Sequence, residues 1–486
     1  MDQGSDGGAK IGRRRFLKAA LSTAAVLSVD RSVAQTRLLP AQNGETILVV
    51  GAGLSGLVTA HRLREAGKRV IVIEARAVPG GRVRTVRDFA GGLHGEWGAA
   101  RIADTHHYAL HWINELGLSL TPFQPTGEAT ILALNGMRAR SDDEAARARL
   151  ATNLNADERG LTPPQLLVKY VRGVPEELAS TEFDPEAPRW AEYDRVTWVN
   201  WLRARGASDS AVTLMTLGGH SSPLSALYLL RQIMLHRDSG GYLKIEGGFD
   251  HLARALAERL SDSIRYDCEL TRIDRTERSV RATVKVQGRD EIIAADRVVL
   301  TIPFSVLDQV AIDPPFSPLK TRIIETLPYY PATRFLIETG SRFWQRDRLS
   351  GGARTDGPAD IWDMSFGQPG TRGLLSVTTG GEFVDSTLAG LTLEQRSTYG
   401  ALMARAAFPE IETQLQKVLV HRWADDPYAR GAFSVFRPGQ MSRWTSTILR
   451  PEGRVHFAGE HTSAHSGWIE GALWSGEHVS QEILQQ

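Results

Sequence analysis

The 486-residue sequence predicts an α/β fold: a discontinuous Rossmann-like domain, a mixed α+β domain and a helical insertion. Three observations predict it. A strand-turn-helix-strand unit opens the folded part at residue 46. Strand-length apolar runs return between 264 and 300 and again at 455–459. Between them, residues 140–240 carry mostly helical periodicity, as in "SALYLLRQIMLHR". With 42% hydrophobic and 23% charged residues the composition is that of a globular chain, and neither a repeat nor a low-complexity tract interrupts it.

The first segment stands apart. Residues 1–34 hold six basic side chains against three acidic ones, so taking that +3 from the total of +1 leaves −2 for the rest. No basic field remains to attract nucleic acid. "RRRFLKAALSTAAVLSVDRSVAQ" joins Arg13, Arg14 and Arg15 to a short apolar run and a small-residue site at Ser32-Val33-Ala34. It resembles a twin-arginine export signal. The apolar run falls short of the roughly 20 residues that span a bilayer. The expectation is a signal over 1–34 and a mature periplasmic protein with no membrane contact after signal removal. That route carries folded proteins, which suggests a cofactor inserted before export.

Next comes "TILVVGAGLSGLVTAHRLREAGKRVIVIEA": an apolar strand over 46–50, a helix over 54–66 stopped by Gly67, and a strand over 70–73. Gly51, Gly53 and Gly56 form G-x-G-x-x-G at the first strand-helix junction. The first glycine permits the tight turn, the second lets backbone approach a pyrophosphate, and the third lets helix and strand pack closely. The helix N-terminus adds free N–H groups and partial positive charge. Glu74, 18 positions after Gly56, ends the second strand where a carboxylate can accept ribose hydroxyls. A dinucleotide is implied. A further helix is expected to start at Asp104 or Thr105 and stop at Gly117. "RATVKVQ" and "DRVVLTI" are expected to be joined by a turn at Gly288-Arg289, and a closing strand and helix lie at 455–459 and from Trp468 onward. The single cysteine, Cys268, cannot form an internal disulfide and reads as a small core residue.

Two further stretches say which dinucleotide. Gly80-Gly81-Arg82 is similar to the second fingerprint of the FAD-dependent amine oxidases, and "RVHFAGEHTSAHSGWIEGALWSG" resembles that family's terminal flavin-binding motif. The resemblance spans most of residues 45–486. It implies FAD domain segments at 43–106, 240–319 and 415–486, a helical, substrate-binding region at 107–239 and a substrate domain at 320–414. It places Gly81, Arg82, Leu270, Trp423 and Trp468 against the cofactor, Glu460 on the ribityl chain, and the Ile469 backbone near the flavin O2 edge. No cysteine stands in "HSGW", so FAD is expected to be held non-covalently.

Within the family, "GEWGAARIADTHH" resembles the L-amino acid oxidase branch, in which Arg101 would grip a substrate carboxylate; a solvated arginine capping a turn is the alternative. A guanidinium holds a carboxylate by two parallel hydrogen bonds and so fixes the direction of the adjoining Cα–H bond. Trp468 and Trp362 would form the aromatic slot, with Asp363 the alternative pocket residue. An acid there would favour a substrate carrying a second positive charge. Arg334 stands where relatives carry a lysine implicated in oxygen reactivity. Four histidines, His106, His107, His461 and His465, read as solvated or capping rather than as metal ligands, so no metal is expected.

The resulting expectation is oxidative deamination of an L-amino acid to a 2-oxo acid, ammonia and hydrogen peroxide, by hydride transfer from Cα to flavin N5. Dioxygen or a periplasmic electron carrier would then take the electrons. Oxidation of amines lacking a carboxylate, or a non-catalytic FAD-fold escort role, are the alternatives. The sequence leaves a homodimer open.

Overall fold

The computed structural model describes residues 44–180, 183–219 and 223–486. The twin-arginine segment lies outside the described residues. Strand β1 (Thr46–Val50), helix α1 (Leu54–Glu65) and strand β2 (Arg69–Ile73) form the expected βαβ unit. Five parallel strands make its sheet, in the order Ile264–Arg265, β2, β1, Arg297–Leu300 and Val455–Phe457. β1 is central and apolar throughout because both of its faces are covered. Ile47 and Val49 pack with Leu57 of α1 and Leu473 of the C-terminal helix Ile469–Leu484. Leu48 and Val50 pack on the other side with Ile273 and Val284, which belong to a four-stranded sheet. α1 and the C-terminal helix meet at Gly476, where a Cβ would lie 2.6 Å from the Ser55 carbonyl oxygen.

A seven-stranded sheet builds the second domain, in the order Leu415–Arg422, Thr333–Thr339, Gly373–Thr379, Ala359–Asp363, Leu349–Thr355, Ala129–Leu134 and Met137–Arg140. Two boundaries therefore shift. Leu415–Arg422, expected in the third FAD segment, pairs with Thr333–Thr339, and the hairpin over 129–140 brings two strands out of the region expected to be helical. The rest of that region is helical as expected, with helices that include Pro163–Val171, Trp198–Ala204, Asp209–Thr216 and Ala226–Leu235.

Two local expectations also need correction. The hairpin turn is Gln287-Gly288, one residue earlier than expected, since Val286 pairs with Arg289 and both turn residues have positive φ (49° and 78°). The helix expected at Asp104 starts at His107, with His106 before it and no side-chain cap. Asp104 is instead occupied by the Ser239 hydroxyl (2.9 Å) and the Gly240 N–H (3.1 Å). The first-turn N–H groups of Tyr108 and Ala109 donate to Glu470 of the C-terminal helix, at 3.1 and 2.8 Å. A carboxylate from 361 residues away does the capping that a local side chain was expected to do. Among the described residues no helix is long and apolar enough to cross a membrane.

Candidate active site

A cavity of about 910 Å³ runs from the β1–α1 turn to the seven-stranded sheet, and the sequence-derived cofactor and substrate residues line it, with the exceptions of Gly56 and of Asp363, the alternative pocket residue. Gly56 works from behind. A Cβ there would sit 2.0 Å from the Gly51 carbonyl oxygen, so only glycine lets α1 start this close to the turn. Gly51 has φ +106°, a value that side chains resist, and donates its N–H to Ile73 at 2.7 Å. Gly80 donates to the Ala52 carbonyl at 2.8 Å, so the second glycine fingerprint is fastened onto the first.

Glu74 receives the N–H groups of Ala52 (2.8 Å) and Arg76 (2.9 Å), one on each carboxylate oxygen. Burial raises its pKa, against the pull of those N–H groups. Each oxygen keeps a lone pair for a hydroxyl. Arg82 donates to Glu460 at 2.7 Å and to the Ala432 carbonyl at 3.1 Å. Glu460 also accepts from Ser434 N–H (3.1 Å), Ser434 Oγ (2.9 Å) and Gly467 N–H (2.9 Å). Burial, the largest single influence, pushes the Glu460 carboxyl up, but the Arg82 and His461 charges and the hydrogen bonds from Arg82 and Gly467 together hold the pKa below its ordinary value. Trp468 and Ile469 open the C-terminal helix at the cavity wall without a side-chain cap, presenting a helix N-terminus to it. Trp423 donates its indole N–H to the Trp97 carbonyl at 3.1 Å, and Leu270 and Cys268 line the wall beside Glu74. Glycines that no side chain could replace, an acid with spare lone pairs and an uncapped helix start fit the pyrophosphate, ribose and ring of FAD.

At the other end stands Arg101, partly buried. Its guanidinium carbon lies 4.3 Å from the Trp362 ring centre, 4.6 Å from Tyr242 and 5.7 Å from Phe123. Among the described residues no carboxylate pairs with it. Tyr242 in turn stacks on Trp468, with ring centres 6.0 Å apart and planes 6° apart. A continuous aromatic wall thus carries one cation whose hydrogen-bonding donors are unspent. The expected slot residues Trp362 and Trp468 both face the cavity.

Asp363 does not. It is buried behind the strand, accepting from Trp344 Nε1 (3.1 Å) and Ser365 N–H (2.7 Å), because successive strand residues point to opposite faces. Asp360, two residues before Trp362, lines the cavity instead. Alternation within "ADIWD" is the signal that could have found it. Arg334 is buried at the wall, but its donors go to the carbonyls of Glu96 (3.0 Å) and Gly98 and to Thr378 Oγ1 (3.1 Å). Burial draws its pKa down to about 10. It braces the segment that leads to Arg101.

The histidines are neither solvated nor capping, except that His107 is exposed. His461 is buried on the Phe304 ring. His106, His236 and His465 bring ring nitrogens within 4.8 Å of one another behind Trp468. His106 Nδ1 accepts the Ala103 N–H at 3.3 Å, which leaves its proton on Nε2. His236 Nδ1 donates to the Gln232 carbonyl at 2.7 Å, so its Nε2 accepts from His106 at 2.9 Å. A ligand role for His106 would need that Nε2 proton removed. These hydrogen bonds join His106 to His236, while His465 meets both through ring contacts.

A family model described as flavin containing amine oxidoreductase matches residues 54–484. The chain is 30% identical over 463 residues to YobN of Bacillus subtilis (strain 168), covering 92% of this chain and 96% of that one. It is 28% identical to an L-amino-acid oxidase of Siganus canaliculatus, covering 90% and 85%, and 29% identical to an L-amino-acid oxidase of Mus musculus, covering 90% and 70%. The fold is shared with putrescine oxidase bound to putrescine (TM-score 0.78, 21% identity, 91% of this chain and 99% of that one). It is shared too with cyclohexylamine oxidase from Brevibacterium oxydans IH-35A (TM-score 0.76, 23% identity, 91% and 100%).

Proposed function

Because this chain belongs to the flavin-containing amine oxidoreductases, a family dependent on FAD, we propose that it oxidises L-amino acids at the α-carbon. The observation that carries this reading is Arg101, a guanidinium in the cavity wall with aromatic neighbours and no ion-pair partner among the described residues. Its planar fork matches a carboxylate and, by fixing that group, sets the direction of the Cα–H bond. The glycine turn, Glu74, Arg82 and Glu460 would hold FAD, which would supply the acceptor for a hydride leaving Cα. Trp362 and Trp468 enclose the substrate and exclude water, and Arg334 holds the Glu96–Gly98 backbone that positions Arg101. The amine lone pair supplies the electrons for C=N formation, and water then releases a 2-oxo acid and ammonia. Similarity to L-amino-acid oxidases supports the same reading. The segment at Arg13–Arg15 supports a periplasmic reaction, with electrons passed on to dioxygen, giving hydrogen peroxide, or to a carrier.

A second reading, oxidation of amines without a carboxylate, is favoured by Asp360, whose charge in the cavity suits an ammonium. Anaerobic bleaching of the flavin by an L-amino acid, compared with its decarboxylated amine, separates the two. Faster bleaching by the amine refutes the amino-acid reading, and no bleaching by either refutes both and leaves the escort role.

A further inference from the structure

Asp360 gives the cavity a negative pole that the oxidation of a simple amino acid does not use. Within the strand Ala359–Asp363 the alternation that turns Asp363 inward brings Asp360 and Trp362 to the same, cavity-facing side. The Trp362 ring lies against the Arg101 guanidinium, at 4.3 Å. Two strand residues advance about 7 Å, so the cavity that Arg101 lines also holds an anion, one such step along the strand from Trp362. An extended side chain of five bonds from Cα to a terminal nitrogen reaches about 6 Å.

The carboxylate is available. Asp360 is only 6% exposed; Arg354 stands 3.7 Å from it, beyond hydrogen-bonding distance with a side chain 48% exposed, and the buried Arg334, whose charge also acts on Asp360, gives its hydrogen bonds to Glu96, Gly98 and Thr378. An ion pair of that kind is weak. The neighbouring Tyr330 hydroxyl donates elsewhere, to the Gly219 carbonyl at 3.0 Å. A Cβ on Gly218 would stand 3.6 Å from that of Asp360, so the glycine leaves room against it. A buried carboxylate with no hydrogen-bonded cation among the described residues is costly, and a ligand bringing a positive charge relieves it.

We infer that Asp360 selects substrates, and that the preferred class is L-amino acids whose side chain ends in a cation, of the lysine, ornithine or arginine type. The inference rests on the amino-acid reading above, with Arg101 taking the α-carboxylate and Asp360 the distal charge. A site built to pair a charge discriminates strongly against the analogue that lacks it, because the buried group is then left alone.

The test uses the FAD-loaded full chain and kcat/KM for L-lysine, L-norleucine, Nε-acetyl-L-lysine, cadaverine and pentylamine. We expect lysine to exceed norleucine and the acetylated compound by about 100-fold, the usual consequence of leaving a buried charge unpaired. In Asp360→Asn that ratio should collapse to near one. Norleucine equal to or better than lysine in the wild type overturns the proposal. So does an equal loss of both substrates in the variant. The wild-type ratios decide the matter even if the variant fails to fold. Cadaverine preferred to lysine while pentylamine is poor would refute the Arg101 reading and the amino-acid class, and would be distinguishable from a failure at Asp360, in which pentylamine matches cadaverine.

Discussion

Replacing Arg101 with Met leaves an unbranched, slightly shorter apolar side chain beside Trp362, Tyr242 and Phe123 but removes the fork that would hold a carboxylate. Each charge-assisted hydrogen bond contributes about 1.5–3 kcal/mol. Two such bonds, partly offset by water that enters when they are lost, give a penalty of about 3–4 kcal/mol. At about 1.4 kcal/mol per tenfold, kcat/KM for an L-amino acid should fall roughly 100- to 1000-fold. Cation–π attraction of about 0.5–2 kcal/mol is exchanged for thioether–ring contacts of about 0.3–1.5 kcal/mol, so stability should hardly change. No described residue ion-pairs with Arg101, so no buried carboxylate is orphaned. The assay is anaerobic stopped-flow bleaching of the flavin by the preferred amino acid and by its decarboxylated amine, together with the flavin-to-protein absorbance ratio. Amino-acid oxidation should collapse, while amine oxidation and flavin content persist. Equal loss on both substrates, or loss of flavin, would refute the reasoning.

Gly56→Ala would drive a methyl to 2.0 Å from a backbone oxygen, forcing the β1–α1 turn open; purified variant protein should carry less than about a tenth of the wild-type flavin, and normal flavin content would contradict the role given to this turn. Denaturation in acid should release free FAD into the supernatant, and Cys268→Ser should retain it, since the Cys268 thiol is pushed by burial up to about 11 and is unreactive at neutral pH; flavin that stays with the pellet would overturn non-covalent binding. Burial holds His106 at about 2, His465 at about 3 and His236 below its ordinary value. The native state therefore binds fewer protons than the unfolded chain below pH 6.5. Stability is full above that value and should fall as pH drops towards the native pKa values, by up to about 1.4 kcal/mol per pH unit per histidine. Urea midpoints at pH 7 and pH 5 check this: the midpoint should be lower at pH 5, and His106→Asn should shrink the difference. A midpoint unchanged by pH would contradict it.

The parts of the site that were legible in the sequence are those whose geometry is local. Gly51, Gly53, Gly56 and Glu74 lie in one βαβ unit, so spacing alone reports their function, and Arg82, Glu460 and Ile469 sit in short motifs with strong composition. Asp360 was missed because choosing between it and Asp363 needs the phase of a strand, and that phase was set only when Asp363 found Trp344 across the domain. His236 was missed because it meets His106 only after a separation of 130 residues. The start of the helix at His107 was misplaced for the same reason, its capping carboxylate being Glu470. Leu415–Arg422 reads as a strand in either domain, and only its pairing with Thr333–Thr339 assigns it.

The ion pair between Arg82 and Glu460 joins residues 378 positions apart. The edge strand Val455–Phe457 and the helix against α1 come from the same last stretch of chain. While the polypeptide is still being synthesised, then, the sheet behind the opening glycine turn lacks its last edge strand and α1 lacks its covering helix. Removing the final 30 or so residues would leave a nascent half-domain instead of a weakened enzyme, and loading with FAD becomes an event of the completed chain.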